Sequence, residues 1–357
     1  MTDALLRDLV DAARSAPSAH NTQPWAPRIV DGAIELGVAA GRTLPIGDPT
    51  GRDTLVGLGA WTEAAAIAAA HAGRRLEVEA LPAMRDPEAV VLARRADPVA
   101  RLTLGDEADD DELWSALGAR LTYRGPVQRV PGFLSAVAAT VPDGMRLVPI
   151  AARDLTRFAT LGFADILARR GVAEELAAWL RLSPRHPRYE LDGLSDRVLL
   201  LPRAAAAAGA PFTRRRRLRD AAAFLARHGG DLVRRTLLEV PVEAAGDAAD
   251  ADHFALVVDS NELSLGSGAE LTRVLNSPLG LPAETVFDAG RALMRVWLQA
   301  AQQGIAFAPH SEVLDSALAQ GELEYRLGLG RRAVPLFVAS VGRPVEQSPP
   351  RSPRLPG

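Results

Sequence analysis

The segment Ala16-Pro-Ser-Ala-His-Asn-Thr-Gln-Pro-Trp25 gathers short polar side chains in a loop stiffened by two prolines. Proline fixes its own φ, and Pro24 pushes Gln23 towards extended geometry. Ser18 and Asn21 can offer hydrogen bonds without bulk, with backbone N–H groups left for a ligand. Such a loop suits edge-on contact with a flat heteroaromatic ring. A plain turn with a capping residue and a buried Trp25 would use the same residues.

Most other chemistry is excluded by what is missing. The chain has 357 residues, 41 basic and 44 acidic, and every basic side chain is arginine. Without lysine there is no Walker-type P-loop, no pyridoxal Schiff base and no lysine base. There is no cysteine, so no disulfide frame, thiol nucleophile, thiolate metal site or iron–sulfur cluster is expected. Of His20, His71, His186, His228, His253 and His310, no two stand at i and i+4, which argues against a helical zinc site. No Gly-x-Ser-x-Gly elbow occurs. Gly57-Leu-Gly59 and Gly266-Ser-Gly268 lack the third glycine of a dinucleotide fingerprint. Asp109, Asp110 and Asp111 read as solvation of a linker, and His71 as a surface or packing residue. A net charge of −3 argues against bulk nucleic-acid binding. The charged first turn argues against a signal peptide, and no apolar run is long enough for a membrane span, so neither is expected.

The elements that must position the loop follow from periodicity. Leu5, Leu6, Leu9, Val10 and Ala13 predict an amphipathic helix over 3–16. Trp25 to Val38 reads as extended, with a turn at Asp31-Gly32. An alanine-rich helix is predicted from Asp53 to Ala72, stopped by Gly73. Strands are predicted at 76–81, 145–150, 254–259 and 305–308. Short helices are predicted at 113–120 and 131–140, and a longer one at 288–303. Gly105 to Glu112 reads as a linker. From Gly342 the tail, rich in Pro, Ser and Arg, should be extended on the surface.

The two halves are weakly alike. Ile67-Ala-Ala-Ala-His-Ala-Gly73 parallels Leu298-Gln-Ala-Ala-Gln-Gln-Gly304, each before a short strand. Alanine-rich helices ending in glycine would look alike without duplication. About 151–251 is extra material that includes the run Arg214 to Arg217. That run reads either as a solvated helix face or as part of a cover over an anion site.

Pro17-Ser18-Ala19-His20-Asn21-Thr22-Gln23-Pro24-Trp25, following an amphipathic helix, resembles the flavin-edge loop of the nitroreductase superfamily. The next loop, Arg42 to Arg52, resembles the branch that includes the actinobacterial Acg proteins, in which one chain holds two nitroreductase-like halves and imitates a homodimer. The resemblance implies an α+β fold of mixed, mainly antiparallel sheets wrapped by helices. It implies a first half over 1–105 and a second over 111–357, with a helical insert or lid at about 151–251. It implies FMN, held at its ring by Pro17, Ser18, Ala19, His20, Asn21 and Gln23. The second half opens with Arg120-Leu-Thr-Tyr-Arg124, so Arg120, Thr122 and Arg124 match the phosphate motif, with Arg351 and Arg354 as further phosphate candidates. Guanidinium forks and a hydroxyl suit a phosphate dianion. Pro309, His310 and Ser311 occupy the place that brings backbone N–H groups to flavin N5, and His310 is a candidate proton donor there. Val141-Pro-Asp-Gly-Met145 replaces the reciprocal loop, so one FMN per chain is implied.

The expected activity is FMN-dependent oxidoreduction, with NAD(P)H as reductant and a flat electron-poor small molecule (nitroaromatic, quinone or enone) as acceptor, or desaturation of a biosynthetic intermediate by the reverse half-reaction. The alternative is a lidded FMN-binding or sequestering protein with little turnover. With the pseudo-dimer internal, a monomer is expected, a further dimer remaining open.

Overall fold

A two-residue reversal begins the first sheet. Asp31 and Gly32 both lie in the left-handed region, at φ 48° and 72°. This is the turn that matches strand twist in a tight hairpin, and glycine takes its second place without strain. It joins Trp25–Val30 to Ala33–Val38, in register from Trp25↔Val38 to Val30↔Ala33.

The computed structural model describes residues 2–94, 96–169, 171–214, 217–218, 220–221, 224–225, 228–229, 251–260, 279–330 and 332–356. In chain order the strands are β1 Trp25–Val30, β2 Ala33–Val38, β3 Arg74–Ala80, β4 Ala100–Glu107, β5 Val127–Gln128, β6 Met145–Pro149, β7 Leu180–Arg181, β8 Leu194–Ser195, β9 Asp252–Asp259, β10 Ala306–Pro309 and β11 Ala333–Pro344. The helices are α1 Thr2–Ala13, α2 Arg52–His71, α3 Pro87–Val90, α4 Phe133–Ala138, α5 Ala152–Ala168, α6 Val172–Trp179, α7 Arg203–Arg214, α8 Ala283–Gln302, α9 Ser311–Asp315 and α10 Ala317–Arg326.

Two units share the chain. The first takes Met1–Arg120, Glu262–Gln303 and Arg354–Gly357; the second takes Leu121–Asn261 and Gly304–Pro353. The first unit holds an antiparallel sheet in the order β1-β2-β4-β3. Helix α2 is buried on nearly every side, as an alanine-rich, apolar helix must be. It stops before Gly73, whose φ is 76°. Helices α2 and α8 meet backbone to backbone. A Cβ on Gly59 would stand 1.9 Å from the Phe287 carbonyl oxygen, and one on Gly290 2.2 Å from that of Val56. Charge locks the same crossing: Glu63 accepts from Arg291 Nε and Arg295 Nη1, each at 2.9 Å.

The second unit holds a sheet in the order β10-β11-β9-β6, with β5 also pairing β11, all antiparallel. Beside it β7 and β8 form a short parallel pair. Leu155 and Phe158 of α5 pack with Ala255, Val257, Val313, Leu323 and Val338 into one apolar cluster. Asp192, fully buried, accepts from Arg181 and Arg188. Burial alone would raise its pKa, but the two guanidiniums outweigh that and hold it below the ordinary carboxylate value.

The fold is α+β with antiparallel sheets. Several local expectations need correction. Residues 105–107, read as linker, complete β4, where Glu107 pairs Arg74 and Leu104 pairs Leu76; the charges hid the alternation. Residues 113–120 do not form the expected helix. A 3₁₀ turn spans Glu112–Ala116, capped by Asp111, which accepts from Leu113 N at 3.0 Å. Asp111 also meets Arg295 at 2.9 Å, so its role is structural rather than solvation. Gly342 to Pro344, read as tail, are the end of β11. His71 packs as read, stacked on Trp114 at 4.5 Å. Arg215, Arg216, the Gly266–Gly268 segment and 230–250 of the insert lie outside the described residues. Among the described residues no helix is long and apolar enough to cross a membrane.

Candidate functional site

The Pro17–Trp25 loop is held under local strain. His20, Asn21 and Gln23 all adopt positive φ, at 48°, 53° and 53°. Asparagine and histidine tolerate this region better than most residues; glutamine does so when its surroundings over-determine it, at a cost on the order of 1 kcal/mol. Gln23 is therefore not extended as Pro24 alone would have it. The compensation is visible. Asn21 N and Thr22 N donate to the carbonyls of Ser18 and Ala19, each at 3.0 Å. Ser18 Oγ accepts from Gln23 N at 2.9 Å. These N–H groups close the loop on itself, which corrects the expectation that the backbone here stays open for a ligand.

The side chains carry the outward chemistry instead. Asn21 Oδ1 accepts from Arg354 Nη1 at 2.7 Å, and Gln23 Oε1 accepts from Leu355 N at 2.9 Å. Both partners can only donate, so both amide orientations are fixed, with the NH₂ groups on the opposite edges. Arg42 Nε donates to the carbonyls of Thr22 and Gln23, at 2.7 and 3.1 Å, and fastens the loop from the other side.

Two guanidiniums converge beside this loop. Arg120 donates through Nε and Nη2 to the Ser15 carbonyl, at 3.0 and 2.9 Å, and Arg354 Nη2 reaches the same oxygen at 3.2 Å. Arg120 is buried and lies 5.0 Å from the centre of the Trp297 ring, an arrangement that favours a cation over an indole. Ser15 Oγ is buried with no hydrogen-bond partner among the described residues. Two like charges on one carbonyl favour an anion nearby, and an orphaned hydroxyl is a ready donor to it.

The remaining implied residues belong to the second unit. Leu121 to Tyr123 runs parallel to β10: Tyr123 N donates to Phe307 O at 2.9 Å and Phe307 N to Leu121 O at 3.2 Å, with Thr122 bridged to Phe307. Arg124 is exposed. The surrounding protein still depresses its pKa below the ordinary arginine value, Glu312 acting in the opposite direction. Arg351 is also exposed. In the third segment, Pro309 has no N–H and His310 N donates to Val338 O at 2.8 Å. Ser311, first residue of α9, has the N–H this segment can present.

Within the first unit, then, the structure brings Asn21, Gln23, Arg120 and Arg354 together, with Pro17, Ser18, Ala19 and His20 shaping the loop. Within the second it groups Thr122 with the β10 segment. Sequence reasoning missed Ser15, Arg42, Trp297 and Leu355 as supporting residues. Arg42 and Ser15 flank the recognised motif; Trp297 and Leu355 carried no local signal.

No family model matches this chain. Two curated relatives, from Mycobacterium tuberculosis strains CDC 1551 / Oshkosh and H37Rv, carry the provisional name NAD(P)H nitroreductase acg. Each is 36% identical over 87 residues, which is 24% of this chain and 26% of theirs. The chain thus matches about a quarter of the length of these relatives. A solved FMN and NADPH-dependent nitroreductase, NfnB from Sphigopyxis sp. strain HMH, aligns over 69% of this chain and 96% of its own, with 17% identity and a TM-score of 0.34. The chain is similar to the nitroreductase superfamily. Within it, the Acg-type proteins are the branch it resembles.

Proposed function

We propose that this chain is an FMN-dependent oxidoreductase of nitroreductase type. The observation that carries the reading is the Pro17–Trp25 loop, with positive φ at three positions and with the Asn21 and Gln23 amides each oriented by a donor. Residues held in sparsely populated backbone regions cluster at ligand sites. The Acg similarity supports the same reading.

The donor set fits the cofactor. Asn21 and Gln23 offer amide donors suited to the carbonyl and nitrogen edge of a flat ring. Arg120 and Arg354 supply guanidinium forks suited to a phosphate, and the buried Ser15 hydroxyl is left for an acceptor. Thr122, Arg124 and Arg351 are further phosphate candidates, and the Ser311 N–H is the candidate contact to N5. Bound FMN would supply hydride transfer between NAD(P)H and a flat electron-poor acceptor, or from a substrate to be desaturated. The protein orients the ring, neutralises the phosphate and, at His310, has a group able to hold a proton. In this reading 1–105 and 111–357 are duplicated nitroreductase-like halves, 151–251 is an insert, one FMN is bound per chain, and the protein acts in the cytoplasm, where reduced nicotinamides are available.

The test is an anaerobic stopped-flow trace of purified protein, loaded with FMN, mixed with NADPH. Rapid loss of flavin absorbance is expected. A protein that takes up no FMN overturns the reading. Flavin that binds but stays oxidised shifts the assignment to FMN storage, or to a dehydrogenase reduced by its own substrate.

A further inference from the structure

Four side chains of the second unit form one continuous hydrogen-bonded chain. His253 on β9 faces Ser340 on β11 across the sheet, and its Nδ1 lies 2.8 Å from Ser340 Oγ. The same hydroxyl lies 2.8 Å from His310 Nε2, at the end of β10. His310 Nδ1 lies 2.9 Å from Glu312 Oε1 on α9. All four residues are half-buried.

The donors and acceptors order themselves. A carboxylate only accepts, so His310 Nδ1 carries a hydrogen towards Glu312. The Nε2 of neutral His310 is then an acceptor, and Ser340 must donate to it. A hydroxyl has one hydrogen, so Ser340 accepts from His253, whose Nδ1 carries the hydrogen and whose Nε2 is left basic. We propose that Glu312, His310, Ser340 and His253 are a proton relay, loading at His253 and delivering at Glu312.

One transfer balances as follows. A solvent proton bonds to His253 Nε2. The His253 Nδ1–H bond breaks as a new O–H bond forms at Ser340, and the original Ser340 O–H bond breaks as an N–H bond forms at His310 Nε2. One proton enters, the positive charge passes from His253 to His310, the His310 Nδ1–H bond then breaks as an O–H bond forms at Glu312 Oε1, and no electrons move. Burial, then the neighbouring His310, lower the His253 pKa, while Asp252 works against them; His253 is thus disposed to pass a proton on rather than keep it. Among the described residues, charges near the chain include Arg124, near Glu312, and Arg129, which pairs with Asp252 at 2.6 Å. Each hydride added to a nitro group or enone requires a proton, which Glu312 would supply. That use rests on the oxidoreductase reading; the relay does not.

The experiment is ¹⁵N-histidine NMR of the full chain between about pH 5 and pH 9, a span bracketing the ordinary imidazole pKa. It is run on the wild type, Ser340→Ala, Ser340→Thr and His253→Gln. In the neutral wild type, both His253 and His310 are expected to carry the hydrogen on Nδ1, and each ring's curve should show the protonation of the other. Ser340→Ala should return His253 to the commoner Nε2–H tautomer and separate the curves; Ser340→Thr should restore both features. In any reductase assay that succeeds, Ser340→Ala should lower kcat by about a hundredfold with KM little changed, and Thr should rescue it. Wild-type His253 carrying its hydrogen on Nε2, or curves that Ser340→Ala leaves unchanged, would overturn the relay. The wild-type tautomers decide this even if a variant does not fold. Failure of flavin reduction with the NMR signature intact would reject the enzyme and keep the relay.

Discussion

Asn21 and Gln23 differ from ordinary loop amides in having partners that can only donate, Arg354 and the Leu355 N–H. Each amide is thereby oriented, Gln23 Nε2 also reaching the Asn21 carbonyl at 3.5 Å, and a fixed amide orientation is what recognition of a ring edge requires. Asn21→Ala should weaken FMN binding by roughly 1–3 kcal/mol, since it removes one amide donor and loosens Arg354, and should shift the flavin absorbance. An unchanged dissociation constant and spectrum in a flavin titration would remove the loop from the site. Asp48 is a residue-scale case of a different kind. It accepts from Thr54 N and Thr54 Oγ1, at 2.9 and 3.0 Å, where α2 begins. Burial, then the Asp53 carboxylate, raise its pKa to about 7, against the lowering effects of Arg52 and the Thr54 bonds. The folded chain thus holds a proton at Asp48 that the unfolded chain releases near pH 4. This contribution to stability is complete below about pH 4 and is lost as pH rises through about 7, with a slope of at most about 1.4 kcal/mol per pH unit. Thermal melts of Asp48→Asn should show a shallower fall in Tm across that window than the wild type; parallel profiles would contradict the shifted carboxyl.

At the scale of elements, the crossing of α2 and α8 is governed by two glycines rather than by side-chain packing. Helices normally stand 8–10 Å apart, and here Gly59 and Gly290 allow each backbone to touch the other. Gly59→Ala places a methyl 1.9 Å from a carbonyl oxygen of Phe287. The backbone there cannot yield as a flexible side chain would, so a loss of about 3 kcal/mol or more is expected. Gly118→Ala is the control: its Cβ would meet nothing within 4 Å, and a change within about 0.5 kcal/mol is expected. Denaturant unfolding of both variants checks this. Equal stability would mean that the crossing relaxes freely. Glu63 between Arg291 and Arg295 adds register to the same contact, because it fixes which turns of the two helices face each other.

For the whole molecule, the residues grouped beside the loop within the first unit, Ser15, Asn21, Gln23, Arg120 and Arg354, stand far apart along the chain. Neither unit is contiguous; the first is made of three segments and the second of two. A ligand that binds only the folded chain stabilises it by mass action. FMN at 100 times its dissociation constant should add about 2.7 kcal/mol, visible as a raised Tm. A Tm independent of FMN concentration would reject FMN as a ligand of the native state. The absence of lysine leaves arginine to supply every cationic side chain. That suits multidentate ion pairs such as Arg181–Asp192 and would suit the phosphate proposed for Arg120 and Arg354.

Much of the local structure was written in the sequence. The Asp31-Gly32 reversal, the stop of α2 at Gly73 and the apolar periodicity of α1 depend on backbone sterics and on burial of one face, which neighbouring residues specify. The polar loop between two prolines was legible for the same reason. Other features depended on distant partners. The charged end of β4 became a strand because β3 pairs with it in the folded sheet. Gln23 took positive φ, against the extended geometry that Pro24 favours, where Arg42 and Leu355 hold it. Ser340, unremarkable within its strand, came to lie between two histidines 87 and 30 positions away. Steric and periodic preferences act over a few residues and can be read along the chain. Hydrogen bonds and ion pairs form wherever folding brings their partners within about 3 Å, and the tertiary structure alone decided those.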